Sequence, residues 1–199
     1  MVMETHIRVR SHDSPLSPEA FRKVSRRPLI VILDNLRSAF NVGSIVRTAD
    51  CALVEKIYFC GYTAHPPHKK LEKTSLGALP YVAWEHREDV RDAIHEVKAS
   101  GFSVTALELT DRSRVLWDVT FPVPSALVLG NEALGVSEEA LALADEIVEI
   151  PMLGYKNSIN VAVAFGIAAY EIQRQQWGDI PKESRVREGH RAYEEGRRG

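Results

Sequence analysis

The chain of 199 residues carries a formal net charge of −2, with 26% charged and 45% hydrophobic residues. That balance supports one sizeable core and excludes a polybasic, histone-like binder, while a local basic patch remains enough for phosphate contact. Its two cysteines, Cys51 and Cys60, show neither metal-ligand spacing nor a secreted-type disulfide framework, no apolar run reaches the length of a membrane span, and residues 1–13 lack the apolar stretch of a secretory signal, so a cytoplasmic protein is expected.

Residues 1–28 read as an arm, since Arg8, Arg10, Arg22, Lys23, Arg26 and Arg27 outnumber Glu4, Asp13 and Glu19 and little is apolar. A solvated surface segment is the plainer reading and phosphate contact the sharper one. Residues 29–33 (LIVIL) form a short β-branched run bounded by Pro28 and Asp34, as expected for a strand buried on both faces. Asn41 is then a candidate N-cap for a helix whose positions Val42, Ile45, Val46, Ala49 and Ala52 share a face, with Arg47 beside that stripe, and a second strand follows at residues 56–60. Residues 61–89 are irregular. His65 and His68 flank a Pro-Pro pair with no third ligand nearby, so no metal is expected, and Lys69, Lys70 and Lys73 suit a mobile, substrate-facing loop. Residues 82–84 suggest a short strand, residues 88–99 an amphipathic helix closed at Ser100-Gly101, and residues 103–108 a further strand. Residues 111–123 read as a polar connection that brings Trp117 over the core.

Residues 125–129 are an apolar strand ended by Gly130, and Ser137 with Glu138 and Glu139 opens a helix. Strand, glycine turn and helix is the grammar of a ligand-binding loop at the carboxyl edge of a parallel sheet. The spacing of Gly130 and Gly135 imitates a phosphate-binding loop, but Val136 stands where its lysine must be and Glu132 would repel a polyphosphate, which excludes an NTPase. No G-x-G occurs in the body of the chain, so the dinucleotide fingerprint is absent too. A strand at residues 146–150, halted by Pro151, leads through a turn holding Gly154, Lys156, Asn157 and Ser158 into a helix, residues 161–169, that is apolar nearly all round. Such a helix must be buried on several sides. Ser158 and Asn160 at its N-terminus are therefore expected beside a dry interior, as caps or as ligand-holding groups. Its first polar position is Glu171, so either a partner chain or a larger intrachain burial must cover it. Residues 179–199 read as an exposed tail in which Arg185, Arg187, Arg191, Arg197 and Arg198 are interleaved with acids.

Three ordered stretches, residues 41–50 (NVGSIVRTAD), 127–137 (LVLGNEALGVS) and 150–164 (IPMLGYKNSINVAVA), resemble the motifs of the SpoU (TrmH-like) branch of the SPOUT RNA methyltransferases. The resemblance runs over residues 29–177. It implies an α/β fold, a parallel-sheet SPOUT methyltransferase domain at residues 29–178 with a C-terminal trefoil knot, a homodimer, and S-adenosyl-L-methionine as cofactor. It assigns Asn41, Arg47 and Glu132, with Ser158 and Asn160, to the catalytic region. The cofactor site it implies comprises Leu107, Glu108, Leu129, Gly130, Ile150, Met152, Leu153 and Ser158. The implied reaction is methyl transfer to a ribose 2′-hydroxyl of structured RNA, with tRNA favoured slightly over rRNA; a non-catalytic RNA-binding protein of the same fold, or an RNA base methyltransferase, are the alternatives. A ribose hydroxyl is a poor nucleophile and a guanidinium stays protonated, so Arg47 is expected to stabilise the developing alkoxide and orient a phosphate rather than act as a simple base. Glu132 is expected either in the chemistry or as an anchor for Asn41 or its loop. The chain is too short for the separate RNA-binding domain often found in the family, so substrate choice is expected to rest on the arm, the 65–73 loop and the dimer surface.

Overall fold

The two uninterrupted apolar runs, residues 29–33 and 125–129, lie side by side in the middle of a seven-stranded parallel sheet. The computed structural model describes residues 17–176, of which residues 26–175 form one structural unit. Its strands are β1 (Arg27–Asp34), β2 (Val54–Cys60), β3 (Ala83–Arg87), β4 (Ser103–Leu107), β5 (Arg114–Val115), β6 (Ser125–Leu129) and β7 (Glu146–Glu149), in the order β3-β2-β1-β6-β4-β7-β5. The helices are α1 (Pro18–Phe21), α2 (Ala39–Cys51), α3 (Lys69–Thr74), α4 (Val90–Ala99), α5 (Glu138–Leu143) and α6 (Val161–Gln175). The short helix α1 precedes this unit and is capped by Ser17, whose Oγ accepts the Ala20 N–H at 3.2 Å. Among the described residues no helix is long and apolar enough to cross a membrane.

Strand side chains alternate between the two faces, and β1 shows the consequence. Leu29, Val31 and Leu33 pack with Val42, Ile45, Val46 and Ala49 of α2 and with Phe165, Ala168 and Ile172 of α6. Ile30 and Ile32 pack on the opposite face with Ala93, Ile94 and Val97 of α4 and Ala140 of α5. Each fully buried Leu, Ile or Phe contributes about 1.5–3 kcal/mol, against about 0–1 kcal/mol for an exposed ion pair such as Lys98–Asp145, so the sheet centre holds the unit together. Pro28 lacks an N–H, and the β1–β2 register shifts between Arg27 and Ile30. After β1 the chain leaves to the α2 face, and after β6 it leaves to the α5 face. Neighbouring strands whose connections depart to opposite faces open a crevice at their carboxyl ends.

Several expectations change. The first helix starts at Ala39 and its N-cap is Ser38, whose Oγ accepts the Asn41 N–H at 3.3 Å; Asn41 lies inside the first turn. The lysines of the 65–73 stretch lie on α3, not on an irregular loop, because KKLEKT is made of helix formers and Leu71 is fully buried beneath it. Residues 111–123 contain the edge strand β5, which pairs with β7, and the side chain turned into the core is Leu116 at 0% exposure, while Trp117 is 52% exposed. Strands β4 and β7 end at Leu107 and Glu149, one residue short of the expected limits. Helix α6 continues to Gln175, and Val163 and Tyr170 remain 54% and 50% exposed on one flank. Residues 1–16 and 177–199, most of the expected arm and tail, lie outside the described residues.

Candidate functional site

At the β1/β6 crevice, the loops following those strands are tied together by polar groups from distant parts of the chain. The buried Asp34 carboxylate accepts the Ser137 N–H (2.9 Å) and the Asn35 amide (2.9 Å). The turn after β6 closes on itself: Asn131 and Gly135 exchange two backbone hydrogen bonds of 2.9 Å. Gly130 is required there, since a Cβ on it would sit 2.1 Å from the Val136 nitrogen. Asn131 was given no role by the sequence. It is 5% exposed; its Oδ1 accepts the Ala133 and Leu134 N–H groups, and its Nδ2 donates to the Asn35 carbonyl and the Tyr62 hydroxyl. The available signal was an asparagine directly after a strand-ending glycine, a residue type that builds turns by imitating backbone.

This turn presents Glu132 to the N-terminus of α2. Its carboxylate accepts the Arg37 N–H (2.8 Å), the Ser38 N–H (3.1 Å) and the Asn41 Nδ2 (2.7 Å). Partial desolvation works to raise this carboxyl, but the Arg37 N–H, the Asn41 amide and the Ser38 N–H outweigh it and hold it below the ordinary carboxylate value. Because a carboxylate accepts only, Asn41 must turn its Oδ1 outward, and that oxygen accepts the Asn160 Nδ2 at 3.0 Å. The Asn160 Oδ1 in turn accepts the Ala162 and Val163 N–H groups (2.9 and 3.3 Å), capping α6. One chain of hydrogen bonds thus joins three sequence stretches and the starts of two helices.

Three of the five expected catalytic residues, Asn41, Glu132 and Asn160, therefore meet directly. Ser158 lies two residues before Asn160 in an exposed turn and is not part of the chain of bonds. The expected dry surroundings of this helix mouth are corrected by its exposure: residues 153–160 are all exposed, with Leu153 at 97%. Arg47 is an exposed residue of α2, about 9 Å along the helix axis from Asn41 at 1.5 Å per residue. It lines an open cleft of about 420 Å³ with Ser44, Thr48, Cys51, Thr74 and Tyr170.

Five of the eight expected cofactor residues, Leu107, Glu108, Leu129, Gly130 and Ile150, gather along one sheet edge, while Leu153 and Ser158 lie in the exposed turn. Leu129 at the end of β6 pairs in register with Leu107 of β4, which pairs with Val148 of β7, so Gly130, Glu108 and Ile150 follow on adjacent strands. Glu108 braces the site: its carboxylate accepts the Val136 and Leu109 N–H groups, both at 2.9 Å. Met152 is half-buried. Among the described residues no group of three or more His, Cys, Asp or Glu is placed to hold a metal. His65 instead packs on His86, ring centroids 4.2 Å apart.

Comparison with known proteins bears directly on this arrangement. The SpoU rRNA Methylase family model matches residues 28–170. The tRNA (guanosine(18)-2′-O)-methyltransferase of Thermus thermophilus is 38% identical over 152 residues, covering 76% of this chain and 77% of that protein, and its Aquifex aeolicus counterpart is 37% identical over 152 residues, covering 76% and 71%. Among solved structures, the A. aeolicus TrmH/SpoU tRNA modifying enzyme superposes with a TM-score of 0.71 at 31% identity, over 87% of this chain and 90% of that one. The SpoU methyltransferase AviRb from Streptomyces viridochromogenes, in complex with the cofactor AdoMet, gives 0.69 at 28% identity, over 77% and 63%. With the family pattern spanning most of its length and the three motif stretches hydrogen-bonded to one another at the carboxyl edge of the sheet, this chain belongs to the SpoU methylase family.

Proposed function

We propose that the protein transfers a methyl group from S-adenosyl-L-methionine to a ribose 2′-hydroxyl of structured RNA, with tRNA the favoured substrate. The observation that carries this reading is the Glu132–Asn41–Asn160 chain of bonds, which gathers the three motif stretches at the crevice beside the β4–β6–β7 edge. The edge fits the methyl donor: the partly buried Leu107, Ile150 and Met152 supply apolar wall, and Gly130 lets the turn after β6 close tightly on Gly135 and Val136 beside them. When bound, the donor supplies an electrophilic methyl on a sulfonium. The chain supplies the rest. Glu132 fixes the Asn41 amide and, through it, Asn160; Glu108 holds the glycine turn in place; Ser158 stands exposed at the mouth to meet substrate or cofactor.

Arg47 is the group that answers to the nucleophile, offsetting alkoxide charge and orienting the neighbouring RNA phosphate, whose oxygen takes the hydroxyl proton as the oxygen–methyl bond forms and the sulfur–methyl bond breaks. The cleft that holds it lies farther along α2 than the hydrogen-bonded chain, on a flank of the molecule whose apolar residues include Phe40 (57% exposed), Val163 (54%) and Tyr170 (50%). A second copy laid on that flank covers it and completes the site, so the working unit is a homodimer. Residues 29–178 act as the catalytic domain between a basic arm and a charged tail, with the segment from β7 into α6 forming the trefoil knot, in the cytoplasm where RNA and the methyl donor meet. The test is single-turnover methylation of a tRNA transcript by Arg47→Lys and Arg47→Ala with donor affinity measured in parallel. Loss of transfer with donor binding retained is expected; wild-type rates in both variants would remove Arg47 from the chemistry. Light scattering at micromolar concentration should show a dimer.

A further inference from the structure

Residues 62–74 are fastened to the proposed site at both ends. The Tyr62 hydroxyl accepts from Asn131 of the glycine turn, and Thr74 lines the Arg47 cleft. Thr74 also packs so closely on α2 that a Cβ on Gly43 would lie 1.8 Å from its Oγ1. Between these anchors the segment offers two kinds of surface. The first is aromatic: Tyr62, just past the end of β2, is 60% exposed, and Trp84, on the edge strand β3 opposite Ile57, is 37% exposed, with the His65 ring 6.4 Å from that of Trp84 and braced by His86. The second is cationic. Leu71 is the buried residue of α3, so Lys69 and Lys73, four apart, share the opposite, outward side, and Lys70 shares the flank of Thr74 toward the cleft. Among the described residues none of these lysines has a carboxylate within 4.0 Å, and Glu72 is the one acid on the helix.

We propose that this surface binds unpaired nucleotides flanking the target ribose of the RNA substrate, with phosphates on Lys69, Lys70 and Lys73 and a base stacked against Trp84 or Tyr62. The inference rests on RNA being the substrate. Lysines on α3 running up to the reactive cleft, with exposed aromatic rings on the preceding stretch and on β3, match the chemistry of a single-stranded loop, whose bases are free to stack; a fully paired helix offers no such faces. A tRNA transcript is the probe. The triple variant Lys69→Gln, Lys70→Gln, Lys73→Gln should weaken its binding and flatten the dependence of log K on log salt by about two, at roughly 0.7 for each phosphate no longer neutralised. Trp84→Ala should weaken binding roughly 5- to 150-fold, and Trp84→Phe should restore most of it. Melting temperature and S-adenosyl-L-methionine affinity should not change in the lysine variant, which separates RNA binding from folding. Wild-type affinity and salt slope in the triple variant together with wild-type affinity in Trp84→Ala would overturn the proposal while leaving methylation intact. Wild-type protein that binds the transcript through this face yet transfers no methyl would overturn the proposed reaction and leave the surface standing.

Discussion

Replacing Glu132 by Gln tests whether this carboxylate anchors the site. The substitution keeps the shape and one carbonyl acceptor but removes the charge that accepts from Arg37, Ser38 and Asn41 at the N-terminus of α2. A negative charge at a helix N-terminus is worth about 0.3–1 kcal/mol, and losing a capping acceptor about 0.5–2 kcal/mol. Glu132 is exposed, so solvent screening moves the sum to the low end, about 1 kcal/mol. For a unit of this size that is about 2–4 °C in melting temperature. The pH dependence carries a sign. The folded carboxyl titrates below its ordinary value, so its contribution is fully present above the unfolded value near 4.5 and is lost as pH falls through the lower folded one. Thermal melts of the two proteins from pH 7 to pH 3 should therefore start apart and converge at the acid end. A double-mutant cycle with Asn41→Ala should give a coupling of about 0.5–1 kcal/mol. Parallel stability curves across the whole range, or zero coupling, would refute the anchoring role.

Gly130→Ala forces a Cβ to within 2.1 Å of backbone that has nowhere to move, so a loss of about 1–3 kcal/mol is expected together with weakened S-adenosyl-L-methionine binding by calorimetry; an unperturbed variant would mean the turn is looser than its paired backbone hydrogen bonds imply. Leu116→Ala should cost about 2–5 kcal/mol in denaturant unfolding, and Trp117→Ala a smaller loss of about 1–2 kcal/mol, because the first side chain is fully buried and the second half exposed; the reverse order would contradict the packing of residues 111–123. Burial pushes the Cys60 thiol up to about 12. In a Cys51→Ser background it should resist a disulfide reagent at pH 8 until the protein unfolds, and labelling at the rate of a free thiol would show that the α4 side of the sheet opens readily.

Much of this molecule was legible because its strands announce themselves. LIVIL and ALVL are unbroken apolar runs, and in a parallel sheet covered on both faces nothing else fills the centre. The face of α2 followed from a 3.6-residue period, and the glycine turn after β6 from its place between strand and cap. Two short elements were not legible: β5 has two residues and α3 six, too few for any period to show, and α3 lacks the serine cap that marks the equally short α5. Trp117 was misplaced for a related reason, since hydrophobicity does not say which of two adjacent apolar residues turns inward.

The residues of the candidate site follow from the resemblance of three stretches to the family's motifs, but their partnerships are decided by the sheet. Asn41 and Asn160 stand 119 positions apart and Asn41 and Glu132 91, and they touch because β6 inserts beside β1 while the chain after β7 returns to the α2 face. Hydrophobic patterning encodes which residues are buried, not which strand lies next to which. Glu132 as the carboxylate that seats α2, Asn131 as the brace of its turn, and Arg47 in a cleft of its own along the same helix are therefore properties of the tertiary structure, fixed by hydrogen bonds that form once distant segments have been brought to one edge.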